Sequence, residues 1–316
     1  MTVWRFDTIK AMDRFDTLLA FVRVVEAGSF TKAAQTLHMS KTTVSQLVQQ
    51  LETRLRVKLL NRTTRQVNVT PEGAAYYQRM VRVLGDMEDA DTELTGGLAT
   101  PSGRLRVDVP SPFARMILMP ALPDFHRRYP EIQLIMGVSD RTVDVIADNV
   151  DCVLRGGEMT VPSLIARRVA DLKLGIYATP GYLQSAGTPS HPNDLETDPH
   201  RIVGFLRSSS GTIATAQMRR AENGAEELVT PQCRYAVATD DGNAYLAAGL
   251  AGMGALWLPH YMAAPHLARG ELTQLFADWR LEPMPLYLAY PQNRHVSAKL
   301  RVFAAWIDEL VVNYSL

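Results

Sequence analysis

Apolar residues in the first seventy positions fall into three helical stripes. Phe15, Leu18, Leu19, Val22 and Val25 follow i, i+3, i+4, i+7, i+10. Ala33, Ala34 and Leu37 make a short second stripe, and Val44, Leu47, Val48, Leu51 and Leu55 a third. This spacing predicts three helices, each burying one face. Gly28-Ser29 supplies the turn after the first, and Ser40 stands where an N-cap belongs before the third. Beyond them, Leu59–Arg62 and Gln66–Val69 read as two short strands, with Thr63-Thr64-Arg65 at the tip of a wing. The outer face of the third helix carries Lys41, Thr42, Thr43, Ser45, Gln46 and Gln49. These are short hydrogen-bonding groups and a cation, with no acid among them, and they suit phosphate oxygens and base edges. Val44, Leu47, Val48 and Leu51 are core under any reading, and Glu52 is expected to be an internal salt-bridge or cap partner.

The pattern then lengthens. Thr70-Pro71 caps and opens a helix, and Gly96-Gly97 is its natural stop. A helix over 71–98 spans roughly 40 Å. Met80, Leu84, Met87, Leu94 and Leu98 recur at heptad-like spacing, a seam suited to a second copy, with Asp91 interrupting it and Gly85 inside it. Packing on its own head domain is the alternative. Pairing is the favoured reading, because one short helix-turn-helix contacts few base pairs and a two-fold dimer doubles the site.

Residues 99–103, with Pro101-Ser102-Gly103, predict a hinge. After it the period changes from 3.6 to 2. Leu105, Val107 and Val109 alternate as a strand, and Ser111-Pro112 opens a helix running to Tyr129. Ile132–Met136 is a second strand, Val143–Asn149 a helix and Cys152–Leu154 a third strand. A further series places strands at Leu172–Ala178, Ile202–Phe205, Cys233–Ala238, Met253–Leu258 and Leu286–Tyr290. Helices are predicted near Asn243–Ala248 and over Leu300–Val311. Such β-α-β order implies mostly parallel sheets with helices on both faces. The expected architecture is α/β with two linked lobes over residues 104–316: lobe I from 104–170 and 280–316, lobe II from 171–279.

Charge divides the chain where the pattern does. Residues 1–70 hold 11 Lys and Arg against 5 Asp and Glu, and the remainder 22 against 28. The zero net charge therefore hides a basic head and an acidic body, which is how a nucleic-acid-binding module on a larger domain looks. No run of eighteen apolar residues occurs, and the first residues lack an apolar signal core. A cytoplasmic protein without a membrane segment is expected. Cys152 and Cys233 lie in apolar strand-like runs and are expected to be buried small hydrophobes. The seven histidines are scattered, and neither a metal spacing, a phosphate loop nor a Gly-x-Ser-x-Gly elbow is present. No metal, cofactor or catalytic role is expected. A solute-binding module and an enzyme fused to a DNA-binding head are the rival readings; the head and the missing export signal argue against the first.

The run Phe21-Val22-x-Val24-Val25-Glu26-x-Gly28-Ser29-Phe30-Thr31-x-Ala33-Ala34-x-x-Leu37, then Ser40-x-x-x-Val44-Ser45-x-x-Val48-x-x-Leu51-Glu52-x-x-Leu55, resembles the LysR-type transcriptional regulators. Arg62-Thr63-Thr64-Arg65 and Thr70-Pro71-Glu72-Gly73 are similar to the subgroup with an Arg-Thr-Thr-Arg wing. Arg56 replaces the helix-ending Gly of that pattern, and Leu60 its Phe. A non-Gly residue in a left-handed cap costs about 1 kcal/mol. The match begins at Met12, so residues 1–11 are expected to be an extension and the winged helix-turn-helix to occupy 12–70. The resemblance implies a regulator that binds double-stranded DNA at an interrupted inverted repeat, as a homodimer or homotetramer, with possible contact to RNA polymerase. Thr31, Ser40, Lys41, Thr42, Thr43, Ser45, Gln46, Gln49, Arg54, Arg62 and Arg65 are the candidate DNA contacts.

The two-lobed body resembles the effector domain of the same family, which is similar to periplasmic solute-binding proteins. Ala178-Thr179-Pro180-x-Tyr182-Leu183 and Ala248-Gly249-Leu250-x-Gly252-Met253-Gly254 carry that likeness. In such sheets ligands bind beyond the carboxyl ends of strands. This points to Ser111, Ser139, Asp140, Arg141, Arg155, Phe205 and Asp240 as effector contacts, with Arg141 and Arg155 hinting at an anionic small molecule. The alternatives are local: Ser111 as a cap, Arg155 paired with Asp144 or Asp151, and Phe205 as core.

Overall fold

A computed structural model describes residues 8–62, 67–94, 101–141, 145, 150–159, 161–208, 210–222, 225–292 and 296–314. The chain divides into two compact units, Met1–Ala99 and Thr100–Leu316.

The first unit is the expected tri-helix with a wing and a long helix. Helix α1 (Thr8–Ala27) takes in residues 8–11 of the stretch expected to precede the domain. Gly28, at φ 59°, ends it. Ser29 then caps α2 (Phe30–Thr36) by accepting from the Lys32 N–H. His38, also at positive φ, turns the chain toward α3 (Lys41–Leu55). Ser40 caps α3 by accepting from the Thr43 N–H at 3.0 Å. Arg56 ends α3 in the left-handed conformation, φ 56° and ψ 32°, which is the cost expected where Gly is replaced. Strands β1 (Leu60–Arg62) and β2 (Val67–Val69) pair antiparallel; the wing tip, Thr63-Thr64-Arg65, lies outside the described residues. Phe21, Val24, Ala33, Val44, Val48, Leu51 and Leu59 form the core.

Thr70 opens α4 (Pro71–Leu94): its hydroxyl accepts from the Gly73 N–H and donates to the Lys58 carbonyl. Gly73 lies so close to the Leu59 carbonyl that a Cβ would collide with it. The expected dimer seam is only partly free. Leu84 belongs to the head core, with Tyr76, Tyr77, Met80 and Val81 packed against it. Val83 and Met87 remain exposed on α4. Met80 and Leu84 are therefore head residues rather than seam residues, because the first turns of α4 cover the open side of α1. Leu98, Gly96 and Gly97 lie outside the described residues.

The second unit has two lobes. Lobe I holds a five-stranded sheet in the order β4-β3-β5-β15-β6. Its strands are β3 (Gly103–Val109), β4 (Ile132–Val138), β5 (Cys152–Gly156), β6 (Leu164–Leu172) and β15 (Met284–Pro291). Strands β4, β3 and β5 are parallel, whereas β15 runs antiparallel to both β5 and β6. The sheet is thus mixed, not mostly parallel. Its last two strands are a crossing pair: one leaves for lobe II and the other returns from it, so they must run oppositely. Gly103, expected in the hinge, opens β3, with its N–H bonded to the Glu131 carbonyl. Helices α5 (Ser111–Phe113) and α6 (Met119–Arg128), joined by a π turn over Ala114–Leu118, and α10 (Ala298–Asn313) cover one face. Val145 packs with Val153 and Ala289 in a separate small cluster. The rest of the helix expected at 143–149 lies outside the described residues.

Among the described residues, lobe II holds three small sheets. Strand β7 (Leu174–Ala178) is central between β12 (Leu256–Pro259) and β13 (Thr273–Leu275), both antiparallel to it. Strands β8 (Ile202–Phe205) and β11 (Tyr235–Thr239) pair in parallel. Strand β9 (Met218–Glu222) lies between β10 (Ala225–Val229) and β14 (Arg280–Leu281). Helices α7 (Pro180–Ala186), α8 (Gly242–Leu250) and α9 (His260–Ala268) pack around them. Because Leu172 pairs with Met284 in lobe I while Leu281 pairs with Met218 in lobe II, the crossings fall at Lys173 and Glu282-Pro283. Met116 and Tyr261 pack against the cores of both lobes.

Candidate nucleic-acid interface and effector cleft

On the head, α3 presents Lys41, Thr42, Thr43, Gln46 and Gln49 to the outside, with Arg54 exposed at its last turn. Ser45 is half-buried. The hydroxyls of Ser40 and Thr43 lie 2.8 Å apart, so these two candidates are engaged with each other as a cap. Thr31 is exposed on the first turn of α2. Arg65 and the side chain of Arg62 lie outside the described residues. Glu52, the one acid in α3, is buried and turned away from this face. Its Oε1 accepts from the N–H groups of Leu59 and Leu60 at 2.9 and 3.0 Å, and its Oε2 from Lys58 Nζ at 3.2 Å. Burial opposes its charge, but those donors outweigh it and hold the carboxyl below its usual range. The outer face of α3 is left uncharged apart from cations. Arg56, exposed at the helix end, joins the candidate contacts; its place in the left-handed cap was the sequence signal for it.

In the second unit the expected effector residues of the two lobes meet directly. The Asp140 carboxylate accepts from the Ser111 N–H at 3.0 Å and from the Gly242 N–H at 2.6 Å, joining the first turn of α5 to the first turn of α8. The Ser111 hydroxyl accepts from Asn243 Nδ2. Arg141 Nε donates to Asp240 at 2.7 Å, and its N–H to Ser139 Oγ at 3.0 Å. Gly242 is required here, since a Cβ would collide with the Pro112 ring. Asp241 caps α8 through the Ala244 N–H. Burial raises the Asp140 carboxyl above its ordinary range, against the pull of the two N–H groups.

Two expectations change. Arg155 is paired with Asp108 rather than with Asp151, and also donates to the Leu154 and Arg141 carbonyls; Asp144 lies outside the described residues. The pair is largely buried, because Asp108 and Arg155 lie on neighbouring strands β3 and β5 and point to the same side. Arg141 is paired as well, so the two cations that hinted at an anionic effector are already neutralised. Phe205 packs edge-on against Tyr245, with ring centroids 5.4 Å apart, and belongs to the lobe II core. Asn243, Asp108, Asp241 and Tyr261 were missed. The run Asp240-Asp241-Gly242-Asn243 carried a helix-start signal for the first and third of these; nothing local marked Asp108 or Tyr261. A cavity of about 740 Å³, lined by Thr179, Tyr182, Leu250, Gly252 and Glu271 among others, contains none of the expected effector residues. Cys152 is buried, and burial raises the Cys233 thiol to about 12. Among the described residues, no cluster of His, Cys, Asp or Glu could hold a metal ion, and no helix is long and apolar enough to cross a membrane.

Comparison with known proteins agrees with both halves. Residues 15–74 match the bacterial regulatory helix-turn-helix protein model of the lysR family, and residues 99–311 match the LysR substrate binding domain. An HTH-type transcriptional repressor of Pseudomonas aeruginosa is 38% identical over 299 residues, covering 95% of this chain and 92% of that protein. The HTH-type transcriptional regulator CrgA of Neisseria meningitidis is 34% identical over 299 residues, covering 94% and 97%. A solved structure of CrgA aligns with a TM-score of 0.56 at 33% identity, covering 93% of this chain and 97% of that one. The full-length structure of AphB, a Vibrio cholerae virulence activator, aligns at 0.55 with 27% identity, covering 93% and 98%. With a helix-turn-helix head, an acid-free helix face and a two-lobed effector-binding body in one chain, the protein belongs to the LysR family of transcriptional regulators.

Proposed function

We propose that this regulator binds an interrupted inverted repeat as a homodimer, placing one α3 in each of two adjacent major grooves. The observation that carries this is the outer face of α3. Lys41, Thr42, Gln46 and Gln49 are exposed there, and the helix's one acid is withdrawn into the head core. Gln46 and Gln49 read base edges, while Lys41, Arg54, Arg56 and the wing arginines Arg62 and Arg65 hold phosphates. The exposed Val83 and Met87 of α4 supply the pairing surface. Effector domains pair further into a tetramer. A small molecule in the cleft between the lobes shifts the arrangement of the heads, and so DNA bending and polymerase access, through its differential affinity for the two arrangements. The protein works in the cytoplasm and performs no catalysis.

The test is operator binding by fluorescence anisotropy across a salt series. Gln46→Ala relaxes preference at one base position, at a cost of roughly 1–3 kcal/mol against the preferred sequence. Arg62→Ala weakens all sequences alike and lowers the salt slope by about 1. If neither substitution alters binding, α3 and the wing do not dock as described.

A further inference from the structure

The contact between the lobes has an unusual charge balance for a cleft expected to receive small metabolites. Asp108, Asp140, Asp240 and Asp241 gather there with Arg141 and Arg155, and both guanidiniums are bound to carboxylates. The N–H groups of Ser111 and Gly242, one from each lobe, face one carboxylate and bond one oxygen each, which is where a carboxylate ligand would anchor. Asp140 already fills it. Beside it, Asn243 Oδ1 is buried and, among the described residues, lacks a hydrogen-bond partner, while Asn243 Nδ2 is spent on Ser111. The buried group left without a partner beside the paired amides is therefore an acceptor.

We propose that Asp140 is the selectivity element of the effector cleft: its carboxylate takes the paired-amide position, so the effector is a neutral or cationic molecule bearing hydrogen-bond donors, and carboxylic acids are turned away. This rests on the reading of the cleft as the effector site. An incoming acid has to displace Asp140, and the displaced carboxylate then stays beside Asp241 in a partly buried position, losing two hydrogen bonds as it repels its replacement. A donor-bearing ligand instead adds bonds to Asn243 Oδ1 and to the free lone pairs of Asp140 without breaking any. The raised protonation range of Asp140 fits a carboxylate held in a dry, crowded place.

Acetate, acetamide and acetamidine share one shape and carry charge −1, 0 and +1. Each is titrated, at matched ionic strength, into the full-length protein and its D140A and D140N variants, with thermal unfolding as readout. The wild type is expected to gain stability with acetamidine and acetamide and not with acetate. D140A, which vacates the paired amides, is expected to lose stability and to regain it with acetate at a concentration that leaves the wild type unmoved. D140N keeps the shape without the charge, and its order of preference shifts toward acetate by roughly tenfold. Should D140A fail to fold, D140N alone decides. Acetate stabilising the wild type as well as acetamidine, or an order of preference unchanged in D140N, overturns the proposal; so does the absence of any response in all three proteins. No DNA is present, so these outcomes bear on Asp140 alone. Loss of ligand-dependent operator binding with the acetate rescue intact counts instead against the cleft as the regulatory site.

Discussion

Replacing Glu52 tests how the head holds its reading face. The carboxylate is 3% exposed, and its Oε1 is the acceptor for two backbone N–H groups, those of Leu59 and Leu60. Glu52→Ala leaves both donors buried without a partner. At about 1–3 kcal/mol for each unsatisfied group, the head loses roughly 2–6 kcal/mol. The Lys58 pair adds little, because that ammonium is largely exposed. Glu52→Gln keeps an oxygen for both N–H groups and turns only an NH2 toward Lys58, so it costs roughly 1–2 kcal/mol. The sign with pH follows from the lowered carboxyl. Its folded-state value lies below the unfolded one, so the stabilisation is complete above about pH 4.5 and disappears as pH falls through the folded value. Urea denaturation of the full-length protein, followed by helix content at pH 7 and at pH 3–4, measures this. The head transition should shift down for E52A, less for E52Q, and the acid sensitivity should shrink in both. An E52A loss under about 1 kcal/mol, or an unchanged acid limb, would refute the argument that these amides depend on the carboxylate.

Other substitutions probe separate features. Arg56→Gly relieves a left-handed non-glycine cap and stabilises the head by about 1 kcal/mol; if Arg56 also touches phosphate, the same variant binds every duplex more weakly, which anisotropy reads directly. Arg155→Ala strands Asp108 in a largely buried position and should destabilise the effector domain by roughly 3–5 kcal/mol, while R155A/D108N recovers much of that loss in thermal unfolding. The Gln46 and Arg62 substitutions described above separate base reading from phosphate holding, and equal salt slopes for R62A and wild type would remove Arg62 from the interface.

The head was legible almost to the residue, because its stripes, caps and charges are local signals. Glu52 could be assigned an internal role because an acid on an otherwise acid-free helix at a buried period has few alternatives. The effector domain was legible in its strands with alternating apolar residues and not elsewhere. Strand β6 is interrupted by Arg167, Arg168 and Asp171, and the paired strands β9 and β10 carry Arg and Glu, so none of them shows a clean apolar alternation. Helix α7 has 7 residues, and α9 contains Pro265, so neither presents a full amphipathic period. Ser111, Ser139, Asp140, Arg141 and Asp240, chosen by the rule that ligands bind at strand ends, lie together between the lobes, yet their partners were not readable. Which guanidinium meets which carboxylate depends on strand order, here on β3 and β5 lying side by side. The same lack of long-range information made Met80 and Leu84 look like a dimer seam: heptad spacing marks a buried face without saying what buries it.

Helix α4 is fused to its head through Tyr76, Met80 and Leu84, which share one core with Phe21 and Val24. In a dimer paired through the remainder of α4, the head cannot swivel on its stalk without unpacking that core. One base pair inserted between half-sites turns the second by about 35°, and the molecule has no soft joint at that point to follow it. Operators for this protein should therefore tolerate sequence drift more readily than a change in the number of bases between the two arms.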